Sequence, residues 1–570
     1  MGEEVPPSAK DVSPRPGPPG GEAGLPPEDS RTSFVKHSAV MSVGTTLSRL
    51  TGFLRVAAMA YALGITESRL ADAYNVANTT PNIIYELALG GVLSSVFVPV
   101  FVEWLESRGR EEAWDSARTV LTFTALVLGF VMVIGIAASS IIIRAYTFRV
   151  AAGPQLDAER AFASFALKWF MPQIVFYGVG AVATGLLNAH RRFAVPMFAP
   201  ILNNLTVTAT FFLFAFLPGP TVPTPSNITD LQRYVLVIGT TLGVIGMTAA
   251  LWPSLRRLGF RWRWRLDLRD PGLRRIGRLA GWVFLYVLVN QLGYTVVIIL
   301  AAQVEGGYTA YTSAFIFFQL PHAIFAVSIM TALLPSMSSR WTDRDRAGFG
   351  ELLTRGIRGT AFIVVPAAFG YLALAVPVVT LLLQHGVMKQ ESTELVARVL
   401  MFFSLGLFSF SAFQLLLRGF YAMQDTRTPA LINVGSNAVN VLADVIFFRY
   451  LKVEGLALGH ATAYTCATVV AGFILVRRVG GLDWRRLLKG LAQIMLGGAA
   501  TGLAAFAVSR LVGNLLGTQA LVPQLIGVTS GVLVGMATFL AVAAAFRMPE
   551  LALVRGVVAS RLPGSRRGRP

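Results

Sequence analysis

Apolar stretches long enough to cross a bilayer follow one another almost without pause from residue 39 to residue 546. A hydrocarbon core of about 30 Å takes roughly 20 apolar residues as a helix, and in lipid the helix satisfies its own backbone hydrogen bonds. Only 14% of the 570 residues are charged, and mean hydropathy is +0.60. Such a chain folds as an all-α polytopic membrane protein. Length and flanking signals predict about fourteen spanning helices, at 39–63, 71–103, 116–143, 161–187, 194–217, 233–252 and 279–302, then 309–337, 356–384, 396–421, 429–448, 455–476, 488–513 and 520–546.

The net charge of +19 does not signal nucleic acid, because the arginines sit in short loops between apolar segments. One set of loops holds Arg108 and Arg110, Arg191 and Arg192, a dense run from Arg256 to Arg278, then Arg340, Arg344 and Arg346, Arg427, and Arg477 to Arg486. Alternate loops are nearly free of positive charge, with none in Gln303–Gly307 or Asn514–Gln519. By the positive-inside rule both termini are expected in the cytoplasm, which an even helix count allows. Residues 1–34 are rich in Pro, Gly, Glu and Ser and lack an apolar signal segment, so a disordered tail is expected there. A single cysteine, Cys466, and five scattered histidines exclude disulfides and a metal cluster.

An internal repeat divides the chain. Asn188-Ala189-His190-Arg191-Arg192-Phe193-Ala194-Val195-Pro196 has a counterpart in Tyr421-Ala422-Met423-Gln424-Asp425-Thr426-Arg427-Thr428-Pro429, and Pro81-Asn82 leading to Pro99 echoes Pro321-His322 leading to Pro335. Parallel repeats of this length build two lobes that rock about a midplane site. The expected layout is a first lobe at 35–253, a basic cytoplasmic linker at 254–278, a second lobe at 279–478, two further helices at 479–547 and a basic tail at 548–570.

Polar residues inside apolar helices then mark the candidate site. Arg49 and Arg55 lie near the middle of the first span, where an arginine costs about 2.5–3.5 kcal/mol, so such residues face a watery cavity. Six positions separate them, about 9 Å along the axis, and their faces differ by about 120°. Guanidinium matches phosphate oxygens in a bidentate fork, so a diphosphate headgroup is a natural ligand. The competing expectation is a structural ion pair with Asp72 or Glu86. Pro81, Gly90 and Gly91 in helix 2, with Gly52 in helix 1, are candidate hinges. Asn440 and Asp444 share one face of helix 11 and offer two oxygens to a cation, or else an internal hydrogen bond. Asn290, Gln291 and Lys168 are weaker candidates. No Walker A, His-Glu-x-x-His or Gly-x-Ser-x-Gly sequence occurs, and no enzyme is expected.

Ser48-Arg49-x-x-Gly52-x-x-Arg55 resembles the first helix of the MurJ/MviN family of lipid II flippases. Asp72-Ala73-Tyr74 with Pro81-Asn82, Phe97-Val98-Pro99, Leu333-Leu334-Pro335-Ser336 and the Phe420–Pro429 turn are similar to its other motifs, over residues 38–547. The resemblance implies a MOP-superfamily fold in the bacterial cytoplasmic membrane, with two six-helix lobes around a cationic cavity and two added helices whose groove takes a lipid tail. It implies alternating access driven by membrane potential and, in some members, sodium. The substrate implied is lipid II or a related polyprenyl diphosphate lipid, with membrane lipids and cell-wall synthesis proteins as candidate partners. Arg49, Arg55, Ser48 and Asp72 match substrate-site positions, and Asn440 and Asp444 match a sodium-lining pair.

The chain departs from the family in carrying Val56 after Arg55, Tyr85-Glu86 in helix 2, and Phe315-Ile316 and Gln319 in helix 8. Its cavity is expected to be less basic. Rival readings are a flippase for another polyprenyl-diphosphate sugar, a drug or cation antiporter of the same superfamily, or a non-transporting scaffold of cell-wall synthesis.

Overall fold

The computed structural model describes residues 28–87, 97–107, 109–267, 269, 271–518 and 520–551, and their side chains from Gly44 onward except at 98–99, 106–107, 271–272, 274–283 and 285. Nineteen α-helices account for most of these residues. The first lobe comprises α1 (Glu28–Leu63), α2 (Leu70–Tyr85), α3 (Val98–Ser107), α4 (Arg110–Ala137), α5 (Ser139–Tyr146), α6 (Pro154–Phe170), α7 (Gln173–Ala189), α8 (Ala194–Phe216), α9 (Asp230–Ala249) and the short α10 (Trp252–Arg257). The second comprises α11 (Pro271–Ala301), α12 (Gly307–Pro321), α13 (Val327–Thr342), α14 (Arg346–Leu383), α15 (Gln390–Leu405), α16 (Leu407–Ala422) and α17 (Arg427–Val479). Then come α18 (Trp484–Leu516) and α19 (Leu521–Ala545), which pack on each other and on α14.

Among the described residues, nine helices are long and apolar enough to cross a membrane, or ten if the pair α15–α16, bent by 47°, is one span. The fourteen predicted positions nonetheless all coincide with helix within the described residues. The difference lies in α1, which is more polar, in α2–α3 and α11, whose described residues are too few to count as spans, and in α17, which counts once for two. Its 53 residues would reach about 80 Å as one rod, far more than a bilayer needs. It is instead a hairpin that reverses at Lys452, whose φ of 53° and ψ of −128° break the helix. The two arms are antiparallel: the Ser436 hydroxyl donates to the Ala463 carbonyl at 3.3 Å, and a Cβ on Gly455 would stand 2.5 Å from the Phe447 carbonyl. The sequence expected two helices here, at 429–448 and 455–476, and that is what the chain forms.

The repeat is visible in backbone detail. Arg191 and Gln424, 233 positions apart, both adopt a left-handed φ, of 58° and 59°. After each, the next residue's N–H returns to a carbonyl five positions earlier, Arg192 to Leu187 and Asp425 to Phe420. In both lobes the fifth span is preceded by a span broken in its middle, α6–α7 at Met171–Pro172 and α15–α16 at Gly406. The tail expected over 1–34 ends sooner, since α1 begins at Glu28. Residues 1–27, the hinge candidates Gly90 and Gly91, and the tail beyond Leu551 lie outside the described residues.

Candidate functional site

The lobes are sealed at one end. The turn between α1 and α2 inserts against the second lobe, where the Val387 N–H donates to the Tyr61 carbonyl at 3.0 Å and the Thr66 N–H to the Ser392 hydroxyl at 2.8 Å. Glu67 accepts from the Ser392 hydroxyl at 2.9 Å and from the Lys389 N–H. Arg69 pairs with Glu159 at 3.1 Å and donates to the Ala302 carbonyl at 3.2 Å. Asp72, 1% exposed, accepts from both the Thr309 N–H (2.8 Å) and the Thr309 hydroxyl (2.7 Å). Because α12 starts at Gly307, this carboxyl satisfies one of the orphan donors of a helix N-terminus from across the lobe boundary. Exposure along α1 tracks the seal: Leu47 and Leu50 are 41% and 52% exposed, whereas Leu63 is fully buried.

Below the seal the lobes enclose a cavity of 450 Å³. The first lobe contributes Arg55 from α1 and Asn75, Asn78 and Thr79 from α2; the second contributes Asn290 and Tyr294 from α11, Thr312 and Ser313 from α12, and Asn437, Asn440 and His460 from α17. Arg55 is the one arginine or lysine in that lining. Among the described residues no carboxylate lies within ion-pair distance of Arg55 or Arg49. Asp72 and Glu86 therefore do not neutralise them, and the ion-pair alternative is not what the structure adopts.

Arg49 is exposed nearer the unsealed end, outside the cavity lining, and donates to the Gln319 amide oxygen at 3.2 Å. Its partner is neutral, so its charge stays uncompensated. Ser48 contributes its backbone rather than its side chain: its carbonyl accepts from Asn204 at 3.1 Å and from the Thr51 hydroxyl at 3.1 Å. Gly52 packs beside the same Asn204 amide, fitting a close approach of α1 to α8. Pro81 is buried within α2, and two residues of π-helix follow at Glu86–Leu87. Lys168 is exposed and takes no part in the interior.

Asp444 is fully buried and accepts from the Asn440 amide at 3.0 Å, while its Oδ2 has no hydrogen-bond partner. Asn440 also lines the central cavity, so this pair opens onto it. The sequence reading missed Asn75, Asn78 and Thr312. Asn75 and Asn78, spaced i, i+3, lie on one helix face, a signal present within the predicted second span.

With a cavity between two pseudo-symmetric lobes established, comparison with known proteins settles the family. The family model described as "Lipid II flippase MurJ" matches residues 59–527. The chain belongs to this family. MurJ proteins are transporters rather than enzymes. The chain is similar to the lipid II flippase MurJ of Burkholderia cenocepacia, with 28% identity over 80% of this chain and 87% of that one. It is also similar to the probable lipid II flippase MurJ of Rhizobium meliloti, with 28% identity over 78% and 79%. Among solved structures, a MurJ in an inward closed conformation superposes with a TM-score of 0.71 at 20% identity, over 89% of this chain and 98% of that one. An inward-facing MATE multidrug transporter of the MOP superfamily gives 0.62 at 15% identity, over 77% and 96%. These likenesses show the shared fold. The MurJ match begins four residues after Arg55, so the reading of Arg49 and Arg55 rests on where the structure places them.

Proposed function

We propose that this chain moves lipid II, a polyprenyl-diphosphate-linked peptidoglycan precursor, from the inner to the outer leaflet of the bacterial cytoplasmic membrane. The observation that carries the reading is Arg55: a guanidinium without a carboxylate partner, presented to a cavity walled by both lobes. A diphosphate supplies the missing counter-charge, and the asparagines and hydroxyls around it offer hydrogen bonds to sugars. Membership of the family supports lipid II as the cargo. Both termini are assigned to the cytoplasm because the arginine-rich loops lie on their side. The sealed end then faces outward and the conformation is inward-facing.

Transport proceeds by rocking the lobes about the cavity. The headgroup enters past Arg49, binds at Arg55, and leaves when the α1–α2 turn parts from Ser392 and Asp72 from Thr309. The chain of the lipid stays in the bilayer. A negative-inside potential favours outward movement of anions by about 2.3 kcal/mol per charge per 100 mV. Asn440 and Asp444 would hold a sodium ion: the buried Asp444 Oδ2 lacks a partner, and one carboxylate balances one monovalent charge. A bound cation would neutralise that carboxylate next to the cavity, linking ion occupancy to the second lobe.

Depletion of the native flippase, with an in-cell readout of lipid II topology, tests the reading. The parent chain should restore flipping, while Arg55→Ala and Arg49→Ala should not. Normal flipping by Arg55→Ala would overturn it.

A further inference from the structure

A larger cavity, of 680 Å³, lies apart from the central one, where the end of α14 and the start of α15 meet α18 and α19. Val387, between those two ends, is bonded to Tyr61 of the sealed turn, so this cavity sits at the sealed face of the molecule. One wall is apolar, formed by Val376, Pro377 and Phe506; the rest is polar. Its one cation is Arg510, which lies over the Phe506 ring at 5.8 Å and pairs with no carboxylate among the described residues. The acid in the lining, Glu394, is already engaged, accepting from Gln390 at 2.9 Å and lying 3.9 Å from Arg398. The side chains of Ser509 and Asn514 have no hydrogen-bond partner among the described residues, and Gln524 uses its amide N–H on the Thr518 carbonyl, leaving its oxygen free. The first turns of α15 and α19 both border the space, so the positive ends of two helix dipoles add to Arg510.

We infer that this cavity is a second lipid site, in which Arg510 holds the phosphate of an anionic amphiphile in the outer leaflet while the chain leaves along Phe506 and Val376. Its placement in the outer leaflet rests on the orientation proposed above; its chemistry does not. An uncommitted cation, spare hydrogen-bonding groups and an apolar exit suit a lipid-borne phosphate. Two lipids carry that chemistry, a polyprenyl diphosphate after transport and an anionic phospholipid. For a transporter the site gives a delivered headgroup somewhere to dwell beside the lobes, lowering the chance of return.

The test uses the full chain in phosphatidylcholine nanodiscs, titrated with a short-chain polyprenyl diphosphate and read by native mass spectrometry. The parent should bind two copies. Arg510→Gln should weaken one of them about tenfold, as expected for loss of one charge-assisted contact, and Asn514→Leu should weaken the same copy. Arg55→Gln should remove the other copy. Phosphatidylglycerol that displaces the Arg510-dependent copy identifies a bilayer phospholipid as the occupant; failure to displace it identifies the polyprenyl lipid. A single Arg55-dependent copy in the parent, or two unaltered copies in both Arg510→Gln and Asn514→Leu, overturns the inference. Loss of the Arg510-dependent copy alone, with Arg55→Gln silent, would keep this site and defeat the central one.

Discussion

Removing Asp72 should unlatch the sealed face. Its carboxyl spans the lobe boundary to the Thr309 N–H at 2.8 Å and the Thr309 hydroxyl at 2.7 Å, and water cannot replace those bonds at 1% exposure. Two buried hydrogen bonds to such an acceptor contribute about 2–4 kcal/mol together. They exist only while the lobes meet, so Asp72→Ala should move the equilibrium between sealed and parted states by that amount, about thirtyfold or more. Asp72→Asn keeps one oxygen for Thr309 and should shift it by about 1 kcal/mol. In a Cys466→Ser background, spin labels at Asp157→Cys and Glu391→Cys report the separation of the lobes at this face, since both positions are exposed. Asp72→Ala should add a long-distance population that the parent lacks. Thr309→Val removes only the hydroxyl donor, so combining it with Asp72→Ala should cost no more than Asp72→Ala alone. Unchanged distances in Asp72→Ala, or fully additive effects in the pair, would refute the latch.

Three further outcomes are expected. Arg358 and Glu550 form a buried ion pair at 2.6 Å between α14 and the segment after α19, each 7% exposed; Glu550→Gln should lower thermal stability in detergent by the equivalent of about 3 kcal/mol, and Arg358→Met with Glu550→Leu should recover much of it. The Asp425 carboxyl, in the turn before α17, is pulled up by burial but held down to about 2 by hydrogen bonds from Thr428 and Arg478. Its stabilisation is complete above the ordinary carboxylate range and lost as pH falls through about 2, so melting curves between pH 5 and pH 2 should be steeper in the parent than in Asp425→Asn. Lys452, at φ 53° and ψ −128°, occupies a conformation that glycine accepts freely, so Lys452→Gly should raise the melting temperature, by about 1 kcal/mol in stability.

The helices were legible because apolar length is nearly sufficient information in a bilayer. So was the two-lobe plan, since the polar turns ending at Pro196 and Pro429 repeat both in sequence and in their left-handed residue. Arg55 declared itself by the cost of its position. The partners of Asp72 did not, because Thr309 is 237 positions away and only tertiary packing brings it to α2. The matching sequence pattern assigned Asp72 to the substrate, whereas the structure puts it in the seal. Ser48 shows a different limit: the sequence displays its hydroxyl, but the carbonyl that holds α8 is invisible in any sequence.

The departures from the family pattern also take on a physical meaning. Arg49 and Arg55, about 9 Å apart along the axis of α1, occupy different places in this conformation. One stands at the unsealed end against a neutral amide and the other lines the cavity, so on the proposed function they would act as successive stations along a path. Where a more basic cavity would hold an anion tightly, this one pairs a single cation with Asn75, Asn78, Asn290, Asn437 and Asn440. Neutral amide hydrogen bonds are weaker than charged ones by about half, and a carrier must release what it binds. Phe315 packs with Phe318, Phe403 and His460 in the cavity wall. On the proposed function, affinity would rest on Arg55, and selection among sugar headgroups on the asparagines. Replacing Asn78, which has no hydrogen-bond partner among the described residues, by leucine should alter which headgroup competes best while leaving binding of inorganic diphosphate unchanged. Equal losses for both would show that the amides shape the cavity without reading the sugar.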